Sequence, residues 1–213
     1  MTKEEFIKIL KHSPEDAKYD AYRNIDSSYL DIETFKVLVS LLKNNDDKIR
    51  FFALFYLIED FQKELSECGE NVIQILIFLL KDVHAPIVDR TVWALSIIGK
   101  DALEYLIKAA KSSDLQLREK AIWAIKRNSN LNSNKTEIVK VLIRGLEDKN
   151  KEIKFSSMCA LMDISPIRNN SIVDFDFKPI YRHIKPIAEE FSLSKVEHYQ
   201  YWGSYYLGLI EKS

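Results

Sequence analysis

Glycine, proline and cysteine are scarce in this chain, which has five glycines, five prolines and two cysteines among 213 residues. The glycines are scattered, so the sequence contains neither a glycine-rich phosphate loop nor a nucleophile elbow. Cys68 and Cys159 lie far apart, which excludes a paired-cysteine motif and indicates inert thiols in a reducing compartment. These absences remove several common classes of enzyme.

Long apolar runs and an excess of charge of one sign are also missing. The longest apolar runs, 51–58 and 75–80, are far shorter than the roughly 20 residues that span a bilayer. With 31 basic and 32 acidic residues, bulk charge does not predict a polyanion-binding protein. The first residues lack the basic and then apolar pattern of a secretory signal. We therefore expect a cytoplasmic protein with no membrane partner.

One helical pattern recurs along the chain. Its clearest copy, LREKAIWAIKR at 117–127, has an apolar and a basic residue first, a small residue at the fifth and eighth positions, and an apolar residue at the ninth. Further copies begin at Ile49, Ile87 and Ile153, and the second of these has Val88 in the basic position. The ninth positions are Leu57, Leu95, Ile125 and Leu161, with spacings of 38, 30 and 36 residues. That spacing is the length of one helix pair in an α-solenoid.

An upstream apolar helix precedes each copy. These first helices are predicted over 35–42, 72–80, 103–110 and 138–146. Because one helix pair cannot bury its apolar face alone, neighbouring pairs must stack.

The repeats resemble the HEAT repeats, and most closely the HEAT-like units of the phycobilin-lyase type. In those units a loop ending in Asp leads into a helix of the form VRxxAAWAL, and residues 114–125 are the best match here. The resemblance covers roughly residues 34–163 and speaks to fold far more than to function. It implies an all-α fold, a right-handed α-α superhelix of the HEAT/armadillo type with about five to six helix pairs.

The chain is predicted to form a single HEAT-like repeat domain over 1–213. Its parts are a divergent N-terminal cap pair at 1–25, four clear repeats at 31–163, an irregular insertion at 164–178 and a C-terminal cap pair at 179–211. In the N-terminal pair, Ser13 is the predicted N-cap and Pro14 the first helical residue. The insertion, which includes Asn169, Asn170 and Ser171, is either a surface loop or a loop that grips a partner. The second helix of the first clear repeat is apolar nearly all round over 51–58, so either a long loop at about 60–70 covers it or an exposed patch marks an interface.

Two faces separate on the helix at 117–127. At about 100° per residue, Leu117, Ala121, Ala124 and Ile125 share the side that must be the core, and Trp123 points nearly opposite. The second helix of each pair lines the concave surface of HEAT solenoids, so the resemblance implies that this outward side lines a groove.

Stacked repeats would align four of these outward positions, Phe55, Trp93, Trp123 and Cys159, into one stripe, with Tyr205 as a fifth candidate. Aromatic residues rimmed by mixed charge are favoured at protein interfaces, although the same rings can instead pack across a neighbouring helix, and both readings stay open. The predicted partner-binding residues are Phe55, Asp89, Arg90, Trp93, Glu119, Lys120, Trp123, Lys126, Arg127 and Cys159.

Catalytic, metal and cofactor sites are not predicted. The four histidines are scattered, and none is followed by Glu, unlike the repeated His-Glu pairs of the HEAT-fold di-iron hydroxylases. The sequence therefore favours a non-enzymatic scaffold or adaptor, monomeric by itself, that binds another protein or peptide.

Nucleic-acid binding, in the manner of the HEAT-like DNA glycosylases, is the main alternative. Residues 103–154 carry 12 basic and 7 acidic side chains, and Asp89 and Glu119 lie one turn before Trp93 and Trp123. The same charges also suit a solvated helical surface. A toxin-neutralising role and a lyase-like chaperone role are further alternatives.

Overall fold

A computed structural model describes residues 1–168 and 173–212 of the chain. Over these ranges the protein has thirteen α-helices and two short 3₁₀ helices, with no β-strand. The chain divides into two compact units, Met1–Gly99 (unit 1) and Lys100–Ser213 (unit 2). The fold class is all-α, as predicted, whereas the single domain over 1–213 stays a prediction.

Unit 1 contains three helix pairs and one additional short helix. The first pair is α1 and α2, the second is α3 and α4, and the third is α6 and α7. Their bounds, with the short helix α5, are α1 Lys3–His12, α2 Glu15–Arg23, α3 Ile32–Leu41, α4 Asp47–Asp60, α5 Gln62–Ser66, α6 Glu70–Leu79 and α7 Ala85–Ile98. The second helices α2, α4 and α7 contact one another in that order.

Polar caps and turn residues fix where these helices begin and end. The Asp31 carboxylate accepts hydrogen bonds from the Glu33 and Thr34 backbone N–H groups of α3, and the Asp46 carboxylate accepts one from the Lys48 N–H of α4. Gly99, with φ 69°, ends α7 in a conformation that favours glycine. At α2 the prediction was one residue early, because Pro14 is the N-cap and Glu15 is the first helical residue.

The segment 60–70, one of two alternatives expected to account for the apolar surface of α4, is not an irregular loop throughout, since it contains the helix α5. Phe61 and Leu65 are 1% and 0% exposed, and α5 packs against both α4 and α7. This short helix covers part of α4, whose Leu54 and Ile58 are fully buried although they lie outside the repeat pattern's core positions. The nearly all-round apolar character of α4 is explained by that packing.

Unit 2 contains the remaining three pairs, α8 with α9, α10 with α11 and α12 with α13. Their bounds are α8 Lys100–Ala109, α9 Leu115–Arg127, α10 Lys135–Leu146, α11 Lys151–Ile164, α12 Lys178–Ser192 and α13 Glu197–Ile210. The second helices again pack in order, α9 against α11 and α11 against α13. Leu117 is a partial exception to the predicted core of α9, because it is only half-buried, whereas Ala121, Ala124 and Ile125 are buried.

Small residues allow the two helices of a pair to approach closely. A Cβ added to Gly145 of α10 would lie 2.0 Å from Oγ of Ser157, the small residue at the fifth pattern position of α11. At the same position of α13, a Cβ on Gly203 would lie 2.4 Å from the backbone nitrogen of Ser192. The small positions of the pattern are therefore the points of closest helix contact, as in interhelical packing generally.

Arginine–aspartate pairs join consecutive repeats within each unit. Arg118, at the basic pattern position of α9, binds Asp148 in the turn before α11 (Nε to Oδ2 3.0 Å) and the Ser112 carbonyl (2.7 Å). Arg50 binds Asp82 in the same way in unit 1. The basic position of the pattern thus carries an inter-repeat bond that the spacing alone did not reveal.

Candidate functional site

An arginine surrounded by aromatic rings lies on the outward faces of α4 and α7. The guanidinium carbon of Arg90 is 5.2 Å from the ring centre of Phe55, 5.3 Å from that of Trp93 and 5.8 Å from that of Phe51. These four residues are called the aromatic–arginine cluster below. Three of them, Phe55, Arg90 and Trp93, are predicted partner-binding residues, and the fold brings them together.

Exposure differs sharply among the members of the aromatic–arginine cluster. Trp93 is 50% exposed, whereas Phe51, Phe55 and Arg90 are half-buried. The Trp93 indole therefore packs against half-buried side chains, and about half of the Trp93 surface is open to solvent. A large aromatic side chain in this arrangement is already ordered before any partner arrives.

Carboxylates border the aromatic–arginine cluster. Glu59 lies 4.0 Å from Arg90 Nη1, and the exposed Asp89 precedes Arg90 on α7, one turn before Trp93. Unit 1 as a whole has 12 basic and 17 acidic residues, a net charge of −5, whereas unit 2 has 19 basic and 15 acidic, a net charge of +4. The net charge of the whole chain, −1, does not reveal this difference between the two units.

In unit 2, the predicted residues of α9 are largely engaged with one another. Trp123 is half-buried, and the Arg127 guanidinium lies 5.0 Å from its ring centre. Lys120 forms an ion pair with Glu119 at 3.0 Å. The alternative carboxylate of a glycosylase-like site, Glu119, is therefore already paired with a lysine in this structure.

Lys126, a further predicted residue of unit 2, belongs to a polar group built from α9, α11 with the turn after it, and α13. Lys126 of α9 binds Asp163 of α11, and Arg168, in the turn after α11, binds the same carboxylate. Tyr206 of α13 accepts a hydrogen bond from Arg168 Nη1 at 3.0 Å. We call Lys126, Asp163, Arg168 and Tyr206 the unit 2 polar cluster. Only Lys126 was predicted, because the other three residues have no distinctive sequence spacing.

Cys159, a predicted partner-binding residue, is only partly exposed. Its side chain lies beside Tyr206 and Lys126, and its role in binding stays a prediction. Burial raises the pKa of the Cys159 thiol to about 11, although the Lys126 cation and the Tyr206 hydroxyl act in the opposite direction. The thiol is therefore protonated at neutral pH and unsuited to nucleophilic chemistry.

The predicted continuous stripe stays a prediction. Phe55 and Trp93 lie in unit 1, whereas Trp123 and Cys159 lie in unit 2. Tyr205 is 41% exposed on α13, where it packs near Tyr201 and Trp202.

The described part of the predicted insertion packs within unit 2. Val173 and Phe177 are 1% and 2% exposed, and the Asp174 backbone nitrogen donates to Asn132 Oδ1 at 2.9 Å. Its predicted Asn169, Asn170 and Ser171 lie outside the described residues.

Within residues 1–168 and 173–212, no group of three or more His, Cys, Asp or Glu side chains is placed to hold a metal ion. Among the helices of these same ranges, none has both the length and the apolar character to cross a membrane.

Comparison with known proteins identifies the fold. No family model and no curated protein matches the sequence. An engineered protein of known crystal structure is 16% identical, with 100% of both chains covered and a TM-score of 0.53. A designed armadillo repeat protein in complex with the peptide (KR)4 is 16% identical, covering 97% of this chain and 98% of its own, with a TM-score of 0.50. The complex of CpcE and CpcF of phycocyanin lyase from Nostoc sp. PCC7120, 16% identical over 82% of this chain and 98% of that chain, has a TM-score of 0.48, too low to support any inference.

At these identities the likeness establishes the fold alone. The chain is a helical repeat protein of the HEAT/armadillo class, which confirms the predicted fold class.

Proposed function

We propose that this protein is a non-enzymatic scaffold that binds a protein or peptide segment on the outward faces of its second helices. In unit 1 the centre of that surface is the aromatic–arginine cluster. The observation that carries the proposal is Trp93, which is 50% exposed while its ring is held against the Arg90 guanidinium.

Preorganisation is the physical reason for this assignment. Tryptophan and arginine are the residue types most enriched at the energetic centres of protein interfaces. Contact with three aromatic rings restricts Arg90, so a partner that covers Trp93 loses little side-chain entropy on binding. Each guanidinium–ring contact contributes about 0.5 to 2 kcal/mol, and the contribution rises as water is excluded.

Charge favours a partner segment that carries lysine or arginine. Glu59 and Asp89 border the cluster, and unit 1 has a net charge of −5. A cation from the partner could pair with these carboxylates while its aliphatic stem covers the indole. The designed armadillo repeat protein with the (KR)4 peptide shows that a solenoid of this class can accommodate such a segment.

The first experiment compares two exposed aromatic residues on different helices of unit 1. Trp93→Ala removes the centre of the proposed surface, and Phe78→Ala removes a 72% exposed ring from the first helix α6. We expect Trp93→Ala to abolish co-purification of a defined set of proteins, whereas Phe78→Ala leaves that set unchanged. Equal retention by both variants, with unchanged helical circular dichroism, would remove the cluster from the proposal.

The second experiment tests the charge of the partner. Fluorescence anisotropy with a labelled (KR)4 peptide and with a matched acidic peptide should show binding of the basic peptide only. Asp89→Asn should weaken that binding by about two- to fivefold, as expected for one exposed charge pair. Lys63→Gln on α5 serves as the control, and tighter binding of the acidic peptide would contradict the proposed partner chemistry.

A further inference from the structure

Two cations share one carboxylate in the unit 2 polar cluster. Lys126 Nζ donates to Asp163 Oδ2 at 2.8 Å, and Arg168 Nη1 pairs with the other oxygen of the same carboxylate. Within the described residues, neither Lys126 nor Arg168 forms an ion pair with a second carboxylate. The cluster therefore has an excess of positive charge.

Several N–H donors in the cluster have no acceptor among residues 1–168 and 173–212. A guanidinium has five N–H donors and an ammonium has three. In the hydrogen bonds of the described residues, Arg168 donates from Nη1, to Asp163 and the Tyr206 hydroxyl, and Lys126 donates one N–H to Asp163. Across the part of the chain that the structure describes, Nε and Nη2 of Arg168 make no hydrogen bond.

The surroundings hold these cations in place and limit their hydration. The Arg168 guanidinium lies 5.0 Å from the ring centre of Trp202 and 5.8 Å from that of Tyr206. The side chains of Lys126 and Arg168 are only 21% and 27% exposed. Like charges that are close together and partly removed from water destabilise each other, and a bound anion would offset this repulsion.

We propose that the unit 2 polar cluster binds an oxyanion of the phosphate class. The Nε and Nη2 edge of a guanidinium forms two parallel hydrogen bonds to a phosphate oxygen pair, and a lysine supplies a compact second charge. Tyr206 and Trp202 orient the guanidinium. The site does not depend on the protein-binding surface proposed above, since its residues lie in unit 2 and that surface is centred in unit 1.

Titration of the full chain with inorganic phosphate at constant ionic strength tests this site. Isothermal calorimetry measures the affinity, and tryptophan fluorescence, to which Trp202 contributes together with Trp93 and Trp123, gives a second signal. We expect Arg168→Gln and Lys126→Gln each to weaken phosphate binding by about tenfold or more, as for the loss of a charge-assisted hydrogen bond. Arg144→Gln, which removes an exposed arginine of α10, should have no effect.

Asp163→Asn provides a test in the opposite direction. Removal of the carboxylate that competes for both cations should tighten phosphate binding, an effect that a damaged fold would not produce. A wild-type protein that binds no phosphate, or variants that all bind equally, would overturn the proposal.

Phosphoserine peptides distinguish the source of the anion. Tighter binding than inorganic phosphate would indicate a phosphate group on a larger molecule, and equal binding would indicate the free ion.

Discussion

Arg50 of α4 and Asp82, which lies in the turn before α7, form a bidentate ion pair that joins two consecutive repeats of unit 1. Arg50 Nε is 2.8 Å from Asp82 Oδ2, and Nη2 is 3.1 Å from Oδ1. Arg50 Nη1 also donates to the Asn44 and Asn45 carbonyl oxygens at 2.8 and 2.9 Å. With side-chain exposures of 13% and 5%, this pair differs from an ordinary surface salt bridge.

Loss of Arg50 should therefore destabilise the protein strongly. Arg50→Ala leaves the buried Asp82 carboxylate without its cation, and removal of one partner from such a pair lowers the free energy of unfolding by about 3 kcal/mol. Lys48→Ala, on the same helix, removes an exposed ion pair to Glu15 and should lower it by less than about 1 kcal/mol. Urea unfolding of both variants checks the difference, and similar midpoints would contradict it.

The same pair predicts a loss of stability in acid. Burial raises the pKa of Asp82, but hydrogen bonds from Arg50 and the His84 backbone N–H lower it more, so the net pKa lies below the ordinary value. A carboxyl with a lowered pKa contributes stability above its unfolded pKa of about 3.9, and this contribution is lost as pH falls through the folded pKa. Asp82→Asn should flatten the decline in stability below about pH 5. Urea midpoints measured across this range would refute the assignment if the decline were as steep as in wild type.

Two glycines of α13 should respond oppositely to the same substitution. Gly203→Ala places a Cβ 2.4 Å from the Ser192 nitrogen and 2.6 Å from the Phe191 carbonyl carbon. Both are backbone atoms in the last turn of α12. We expect a loss of about 2 to 3 kcal/mol from this overlap. Gly208 has no atom within 4 Å of such a Cβ, so Gly208→Ala should be neutral or stabilise by up to about 1 kcal/mol. Thermal unfolding compares them, and equal melting temperatures would refute the close contact of α12 and α13.

Cys159 should react slowly with alkylating reagents. At pH 8 a thiol with a pKa of about 11 is ionised in roughly one molecule in a thousand. In a Cys68→Ser background, iodoacetamide should modify the native protein at least about 100-fold more slowly than the protein unfolded in guanidinium. The rate should rise about tenfold per pH unit up to the pKa. A plateau near pH 8.5 would show that burial does not control this thiol.

The helix pairs and the core-facing small residues could be predicted from the sequence because both follow from local periodicity. The second helices lie where the pattern places them, and Ala121, Ala124 and Ala160 are buried as its small positions require. Part of the aromatic–arginine cluster could be predicted from the sequence for the same reason, since Phe55 and Trp93 share one pattern position. Whether these rings are exposed could not be predicted, because exposure depends on neighbouring helices.

Contacts between residues of separate helices could not be predicted from the sequence. Asp163, Arg168 and Tyr206 come from three segments, and their sequence spacing follows no pattern. They meet each other, and Lys126 of α9, only because α9, α11 and α13 pack together. The helix α5 was missed because a five-residue helix is too short to show a period, and only the burial of Phe61 and Leu65 against α4 and α7 stabilises it.

The sequence by itself thus determined the repeating helix pair, because an amphipathic period of 3.6 residues and small residues at fixed positions are local properties. Tertiary structure alone decided which polar side chains share a site and which aromatic rings meet solvent. Ion pairs such as Lys126 with Asp163 depend on distances between helices, and burial depends on every element that covers a face. Those quantities exist only once the repeats have stacked.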